Sequence, residues 1–160
     1  MAYIYIKSHC SKKTVMDDIY NTKILEFAAS ISAIGRLDAP DASAKAHSKL
    51  CGSTVTVDVS LDQGVVSAFA QDVKACALGQ AAGSIIAKHI IGATPHEVRI
   101  ARSQMSKMLK EQGETPNGRF EDLKYLQPVR DYKARHASTL LTLDALVDCL
   151  DQLEQKEAAA

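Results

Sequence analysis

Residues Thr54-Val55-Thr56-Val57-Asp58-Val59-Ser60-Leu61 alternate polar and apolar without a break. A period of two puts three valines on one side of a β-strand, so one sheet face is buried. Asp62-Gln63-Gly64 follows with turn chemistry, and 65–73 reads as the antiparallel return strand of a hairpin. Upstream the period changes. From Asp17, the residues Ile19, Tyr20, Lys23 by its stem, Ile24, Phe27 and Ala28 recur at helical spacing, which predicts an amphipathic helix ending before Ile34-Gly35. Between helix and strand, Asp38-Ala39-Pro40-Asp41-Ala42-Ser43 has no apolar period and contains a breaker, so it reads as a surface loop leading toward His47 and Cys51.

Downstream the pattern is helical again. Ala77, Leu78, Ala81, Ala82, Ile85, Ile86, His89 and Ile90 make a helix rich in small residues, closed by Gly92. Thr94-Pro95-His96-Glu97 opens the next helix as a capping box with proline at its first position; Val98, Ala101, Met105, Met108 and Leu109 form its apolar stripe. Residues 112–118 are a loop by composition, 120–126 a short element before Pro128, and 138–153 a long helix carrying Leu140, Leu141, Leu143, Ala145, Leu146, Val147, Leu150 and Leu153. Residues 1–15, with the unpatterned Ser8-His9-Cys10-Ser11-Lys12-Lys13, are expected to be a flexible N-terminal extension, 16–153 one domain with Met16 a plausible native start, and 154–160 a flexible tail.

Composition narrows the function classes. The chain has 160 residues, enough for one core without disulfides, and its 19 basic and 19 acidic residues cancel. No global field draws it to nucleic acid or an anionic membrane, and no aromatic-basic stacking motif is present. No apolar stretch approaches the roughly 20 residues that cross a bilayer, and no signal peptide is recognisable, so a cytoplasmic protein is expected. Cysteines at 10, 51, 76 and 149 are irregularly spaced, which suits reduced thiols better than a disulfide framework. No phosphate-binding glycine loop or nucleophile elbow points to a phosphoryl-transfer or serine-hydrolase enzyme.

The remaining chemistry lies in two cysteines. Cys51, in Lys49-Leu50-Cys51-Gly52-Ser53, precedes the valine strand beside a flexible glycine, and Cys76, in Lys74-Ala75-Cys76-Ala77-Leu78-Gly79-Gln80, opens a helix. Free amides and the dipole at a helix start favour a thiolate, which binds soft metals or accepts sulfur. The hairpin returns Cys76 toward Cys51. Cys149 lies on the apolar face of the last helix and reads as core packing, His9 and Cys10 as inert residues of the extension, and His89 and His96 as core or surface residues.

These segments resemble the NifU, IscU and SufU type of iron–sulfur cluster assembly scaffold. The resemblance covers nearly all of 16–153. It is carried by Ile34-Gly35-Arg36-Leu37, Cys51-Gly52, the run from Cys76 to Ser84, the Gly92-Ala93-Thr94-Pro95-His96-Glu97 cap and Ala134-Arg135-His136-Ala137-Ser138. The Cys51 to Cys76 interval and the loop near Gly113 match the SufU-like branch. The resemblance implies an α+β fold, an antiparallel three-stranded sheet with helices packed on one face, and a ligand cluster at one end. It implies a carrier rather than an enzyme, a transient 2Fe–2S cluster or zinc as cargo, and a cysteine desulfurase and apo iron–sulfur proteins as partners.

The family pattern has a cysteine, an aspartate two residues on, a second cysteine and a third before the last helix. Cys51 and Cys76 match the first two cysteines, Ser53 stands at the aspartate, and Ser138 at the third cysteine in a gapless alignment. A shift of one puts Ala137 there and aligns His136 with a histidine found in some members. The metal-site candidates are therefore Cys51, Ser53, Cys76, His136 and Ser138, with His47 a further nitrogen donor four residues before Cys51. Alternatives to the scaffold are a sulfur-transfer partner that takes persulfide on Cys51 or Cys76, and a structural relative that uses the same surface for protein contacts. Lys107, Lys110, Lys133 and Arg135 read as solvated charges, the last two placed to favour an anionic sulfur species or an acidic partner. The Pro-Pro-Val-Lys motif of the IscU branch is absent.

Overall fold

The computed structural model describes residues 18–160, so the extension 1–15, with His9 and Cys10, lies outside the described residues. The first long helix, α1, is Thr22–Ala29. It is shorter than the apolar spacing predicts because Asn21 interrupts it: the Asn21 side chain accepts the Ile24 N–H at 3.0 Å and caps a new helix. Asp18 and Ile19 form a separate helical turn, yet Ile19, Ile24, Phe27 and Ala28 are all buried as their spacing requires.

Three antiparallel strands follow in the order β1 (Ala42–His47), β2 (Thr54–Asp62) and β3 (Val65–Lys74). Gln63 and Gly64 make the two-residue β2–β3 turn, with φ of 49° and 78°, the pair of left-handed residues that suits the twist of a hairpin. Val55, Val57 and Val59 are fully buried and face Ala46, Ala44 and Ala42 across the β1 ladder. This strand corrects the expected surface loop at 38–43, whose last two residues begin β1. Alternating alanines carry almost no strand preference, and the ladder to β2 supplies what the residues themselves lack.

The helices cover the valine face. After β3 come α2 (Ala77–His89) and α3 (Pro95–Lys110), then a 3-10 run over Gly118–Asp131, then α4 (Lys133–Ala158). Helix α4 crosses β1 and β2, and α2 lies between α1 and α4. The expected capping box is present: Thr94 accepts the Glu97 N–H at 3.1 Å and the Thr94 N–H donates to Glu97 at 2.8 Å. Arg99 with Asp151 and Arg102 with Asp144 tie α3 to α4.

Two elements exceed their predicted spans. The 3-10 run buries Phe120, Leu123, Leu126 and Val129, a spacing of three that matches its three residues per turn. The run is kinked at Phe120 (φ −103°, ψ 28°), and packing of the anchors holds the part after the kink, which is still longer than such helices usually reach. Helix α4 starts at Lys133 and continues past Leu153, because Glu154 pairs with Arg99 at 2.9 Å and Lys156 donates to the Asp41 carbonyl at 3.1 Å.

The opposite sheet face carries a buried carboxylate. Asp58, with 0% side-chain exposure, accepts from Arg36 at 2.7 and 3.0 Å, from the Leu37 N–H at 2.9 Å and from the Ser43 hydroxyl. Arg36 beside it holds its pKa below the usual carboxylate range, as do Ser43 and the Leu37 amide. The Gly35 N–H donates to the Gln71 carbonyl, and Gln71 Nε2 donates to the Ser32 and Gly83 carbonyls at 3.0 Å each. Residues 32–37 are thereby laced to β2 and β3.

Candidate functional site

The loop 48–53 joins β1 to β2 and turns on itself. The Gly52 N–H donates to the Ser48 carbonyl and the Ser48 N–H to the Ser53 carbonyl, both at 2.9 Å. Gly52 has a φ of 71°, a left-handed conformation that glycine adopts without a side-chain penalty. The loop leaves Cys51 exposed while Ser48 and Ser53 are buried at 1% and 5% exposure. Cys51 Sγ lies 3.0 Å from Ser53 Oγ and 3.4 Å from Ser48 Oγ. Hydroxyls that donate to the charged form favour it. The Ser48 hydroxyl, then that of Ser53, lower the Cys51 pKa to about 7 against the opposing effect of burial, with smaller help from the Ser53 backbone and Ser138.

Cys76 is the extended residue before α2, with φ −64° and ψ 171°, and its carbonyl accepts the Gln80 N–H at 3.0 Å. Its Sγ is 3.7 Å from Ser138 Oγ. Ser138, on the first turns of α4, is 1% exposed and donates to the Arg135 carbonyl at 3.0 Å. Ser138 also contributes the smallest part of the lowering of the Cys51 pKa, so its hydroxyl lies near both thiols. A glycine allows this meeting of helices. A Cβ on Gly79 would lie 2.7 Å from Ala75 Cβ and 3.1 Å from the Ser138 carbonyl oxygen, so a larger residue collides with Ala75 beside Cys76 and crowds α4 at Ser138.

Four of the five candidate residues, Cys51, Ser53, Cys76 and Ser138, thus converge at one end of the sheet. His136 does not join them: its Nε2 sits 2.9 Å from the Arg130 carbonyl. Of the two alignments of the α4 start, the geometry favours the gapless one, since Ser138 is buried against Cys76 and Ala137 is exposed. His47 is exposed on the strand face away from the helices, opposite Thr54. Among the described residues no three histidine, cysteine or acidic side chains gather closely enough to hold a metal ion.

Other titratable residues have separate settings. Cys149 is buried, 3.6 Å from the Val57 carbonyl, and burial pushes its thiol up to about 12, as expected of a core residue. His89 pairs with Asp122 at 2.8 Å, and His96 is exposed. The residue that sequence reasoning missed is Ser48. Its only signal is a serine three positions before Cys51 that mirrors Ser53 two positions after it.

The donor set is therefore two thiols with three hydroxyls and no carboxylate. Such a set stabilises thiolates well but fills a coordination sphere poorly, because neutral hydroxyls are weak ligands for zinc and iron.

Residues 19–139 match the model of the family described as NifU-like N terminal domain. The iron–sulfur cluster assembly scaffold protein IscU of Thermotoga maritima is 24% identical over 138 residues, which cover 86% of this chain and 96% of that protein. A solved NifU-like protein (N-terminal) from Brucella abortus is 61% identical, covers 89% of this chain and 99% of that one, and superposes with a TM-score of 0.87. A structure from Fervidobacterium islandicum described as a scaffold protein for the SUF system has 20% identity, 84% and 98% coverage and a TM-score of 0.77. The last shows a shared fold: the three-stranded antiparallel sheet with helices on one face. No helix among the described residues is long and apolar enough to cross a membrane.

Proposed function

Since this chain belongs to the NifU-like N-terminal domain family, we propose that it is a scaffold or carrier for iron–sulfur cluster assembly working through Cys51 and Cys76. One observation supports this above all: two thiols from distant parts of the chain flank the same sheet end, where Thr54 pairs with Lys74, with Ser53 beside Cys51 and Ser138 beside Cys76. Iron and sulfide are the cargo. Cys51 and Cys76 are its soft ligands, Ser53 and Ser138 hold hydrogen bonds to the thiolates, and His136 reaches the cargo only by giving up the Arg130 carbonyl. A cysteine desulfurase is the proposed sulfur source and apo iron–sulfur proteins the recipients, with cytoplasm as the compartment that keeps the thiols reduced.

A second reading draws on the exposed Cys51 thiol, held near pH 7 by its hydroxyl neighbours. It is a sulfur-transfer partner, with zinc or no metal. The Cys51 thiolate attacks the outer sulfur of the desulfurase persulfide, the donor S–S bond breaks, the desulfurase thiolate leaves, and Cys51 carries the new persulfide.

The test is the metal and acid-labile sulfide content of anaerobically purified protein, wild type beside Cys51→Ala and Cys76→Ala. Iron with equal sulfide, lost in both variants, is the expected result. Zinc alone or no metal, together with persulfide trapped on Cys51 by alkylation and mass spectrometry, moves the function to sulfur relay. Neither metal nor persulfide, with an active desulfurase present, overturns both.

A further inference from the structure

The loop that carries the Cys51 thiol also carries an apolar side chain that the fold does not use. Ser48 and Ser53 are buried and anchor the loop, and the backbone bonds between Gly52, Ser48 and Ser53 leave Lys49, Leu50, Cys51 and Gly52 as its exposed crest. Leu50 is 76% exposed, more than any other large apolar side chain described, Ile34 being next at 59%, and it packs against no part of the core. A single exposed leucine is ordinary on a protein surface, so its place on the chain decides the matter. Leu50 directly precedes Cys51 on a tight turn. A macromolecule whose sulfur reaches the Cys51 thiol covers Leu50 in the same act, whereas a small reagent reaches the thiol without covering it.

We propose that Leu50 is the side chain by which this protein recognises its macromolecular sulfur donor, lodging in an apolar hollow of the cysteine desulfurase while Lys49 and Lys74 meet carboxylates at the rim. This inference rests on the desulfurase reading above and assigns it a surface. Leu50 touches neither reacting sulfur, so it is a specificity residue: it acts on association and leaves the chemistry of transfer to Cys51. Burial of a leucine side chain is worth between about tenfold and a hundredfold in affinity.

Charge says what surrounds that hollow. Lys49 and Lys74 precede the two cysteines by two residues each, are exposed, and form no ion pair with a described carboxylate. Unpaired cations flanking an apolar anchor fit an acidic rim, and charges so placed govern the rate of encounter and its salt dependence more than the final affinity. The sulfur step itself is unchanged by the docking. The Cys51 thiolate attacks the outer sulfur of the donor persulfide, the donor S–S bond breaks and the donor thiolate leaves. With inorganic polysulfide as donor, the same attack releases a polysulfide one sulfur shorter.

The test compares two sulfur donors on the reduced full chain: a cysteine desulfurase supplied with free cysteine, and inorganic polysulfide. Persulfide on Cys51 is counted against time by alkylation and mass spectrometry. Leu50→Ser, which removes an exposed side chain, is expected to raise the KM for this chain in the desulfurase reaction about tenfold or more. Its kcat and its rate with polysulfide stay at the wild-type values, and Leu50→Met restores the KM. The double variant Lys49→Glu, Lys74→Glu slows the desulfurase reaction at low salt, by a margin that shrinks as salt is added. An unchanged KM in Leu50→Ser overturns the proposal, because nothing then covers residue 50. An equal loss with both donors overturns it too, because the substitution then disturbs the thiol itself. Either result leaves the desulfurase reading standing. A wild-type chain that takes sulfur from polysulfide and from no desulfurase overturns both.

Discussion

Two polar clusters in this molecule are each built around one anionic group and serine hydroxyls, and they differ in what closes them. On the outer sheet face, Asp58 is sealed from solvent and receives a guanidinium, a hydroxyl and a backbone amide. At the sheet end, Cys51 is bonded to two hydroxyls, with lesser help from the Ser53 backbone and no cation, and remains open to solvent. A closed and fully partnered anion fixes the chain around it, here residues 32–37 against β2. An anion stabilised by weak donors and left open is available to react. Hydrogen bonding is common to both clusters, and access separates structure from chemistry.

The sharpest way to break this comparison is to open the closed cluster. Arg36→Leu leaves the buried Asp58 without its cation, and the largest loss of stability in this series is expected, read as a lower urea midpoint at unchanged slope. An unmoved midpoint would mean that Asp58 is hydrated in solution. Ser43→Ala keeps the ion pair and removes one bond to a charged acceptor, for an expected loss of about 1.5 kcal/mol by the same measurement.

Acid provides a gentler version. Because Arg36, Ser43 and the Leu37 amide depress the Asp58 pKa in the folded state, its contribution is fully present above the ordinary carboxylate value and disappears as pH falls through the depressed one. Urea titrations across the acid range are expected to show that slope in wild type and to lose much of it in Arg36→Leu. Equal slopes would assign acid sensitivity to other carboxylates.

At the open cluster the expected effect is on reactivity. Removing both hydroxyls, with Ser48→Ala and Ser53→Ala, is expected to move the inflection in the alkylation rate of Cys51 from about 7 toward the free-thiol value, about 8.5. The Cys51 peptide followed by mass spectrometry against pH reports it. An unmoved inflection would remove the serines from control of the thiol. The smallest effect is on stability: Cys51→Ala is expected to shift unfolding by no more than about 0.5 kcal/mol, less than either substitution at the closed cluster.

The same contrast explains what could be read in the chain. The valine strand, its return, the capping box and the buried positions of α1 were legible because their apolar period is strong and local. Strand β1 was not, since Ala42, Ala44 and Ala46 have a period but no strand preference, and they become a strand only against Val55, Val57 and Val59. The convergence of Cys51 with Cys76 followed from the hairpin between them, and Ser138 from likeness to a family. Ser48 was invisible because its role depends on how the 48–53 loop folds back through backbone bonds. The setting of His136 was equally hidden, since Arg130 becomes its partner only where the 3-10 run meets α4.

That 3-10 run has a consequence for how this sequence can change over time. Phe120, Leu123, Leu126 and Val129 meet the core at every third residue, so inserting or deleting a single residue among them rotates every later anchor by about a third of a turn, away from the core. Length changes after the kink at Phe120 and before Asp131 should therefore be tolerated in steps of three. The segment behaves as a reading frame written in packing rather than in codons.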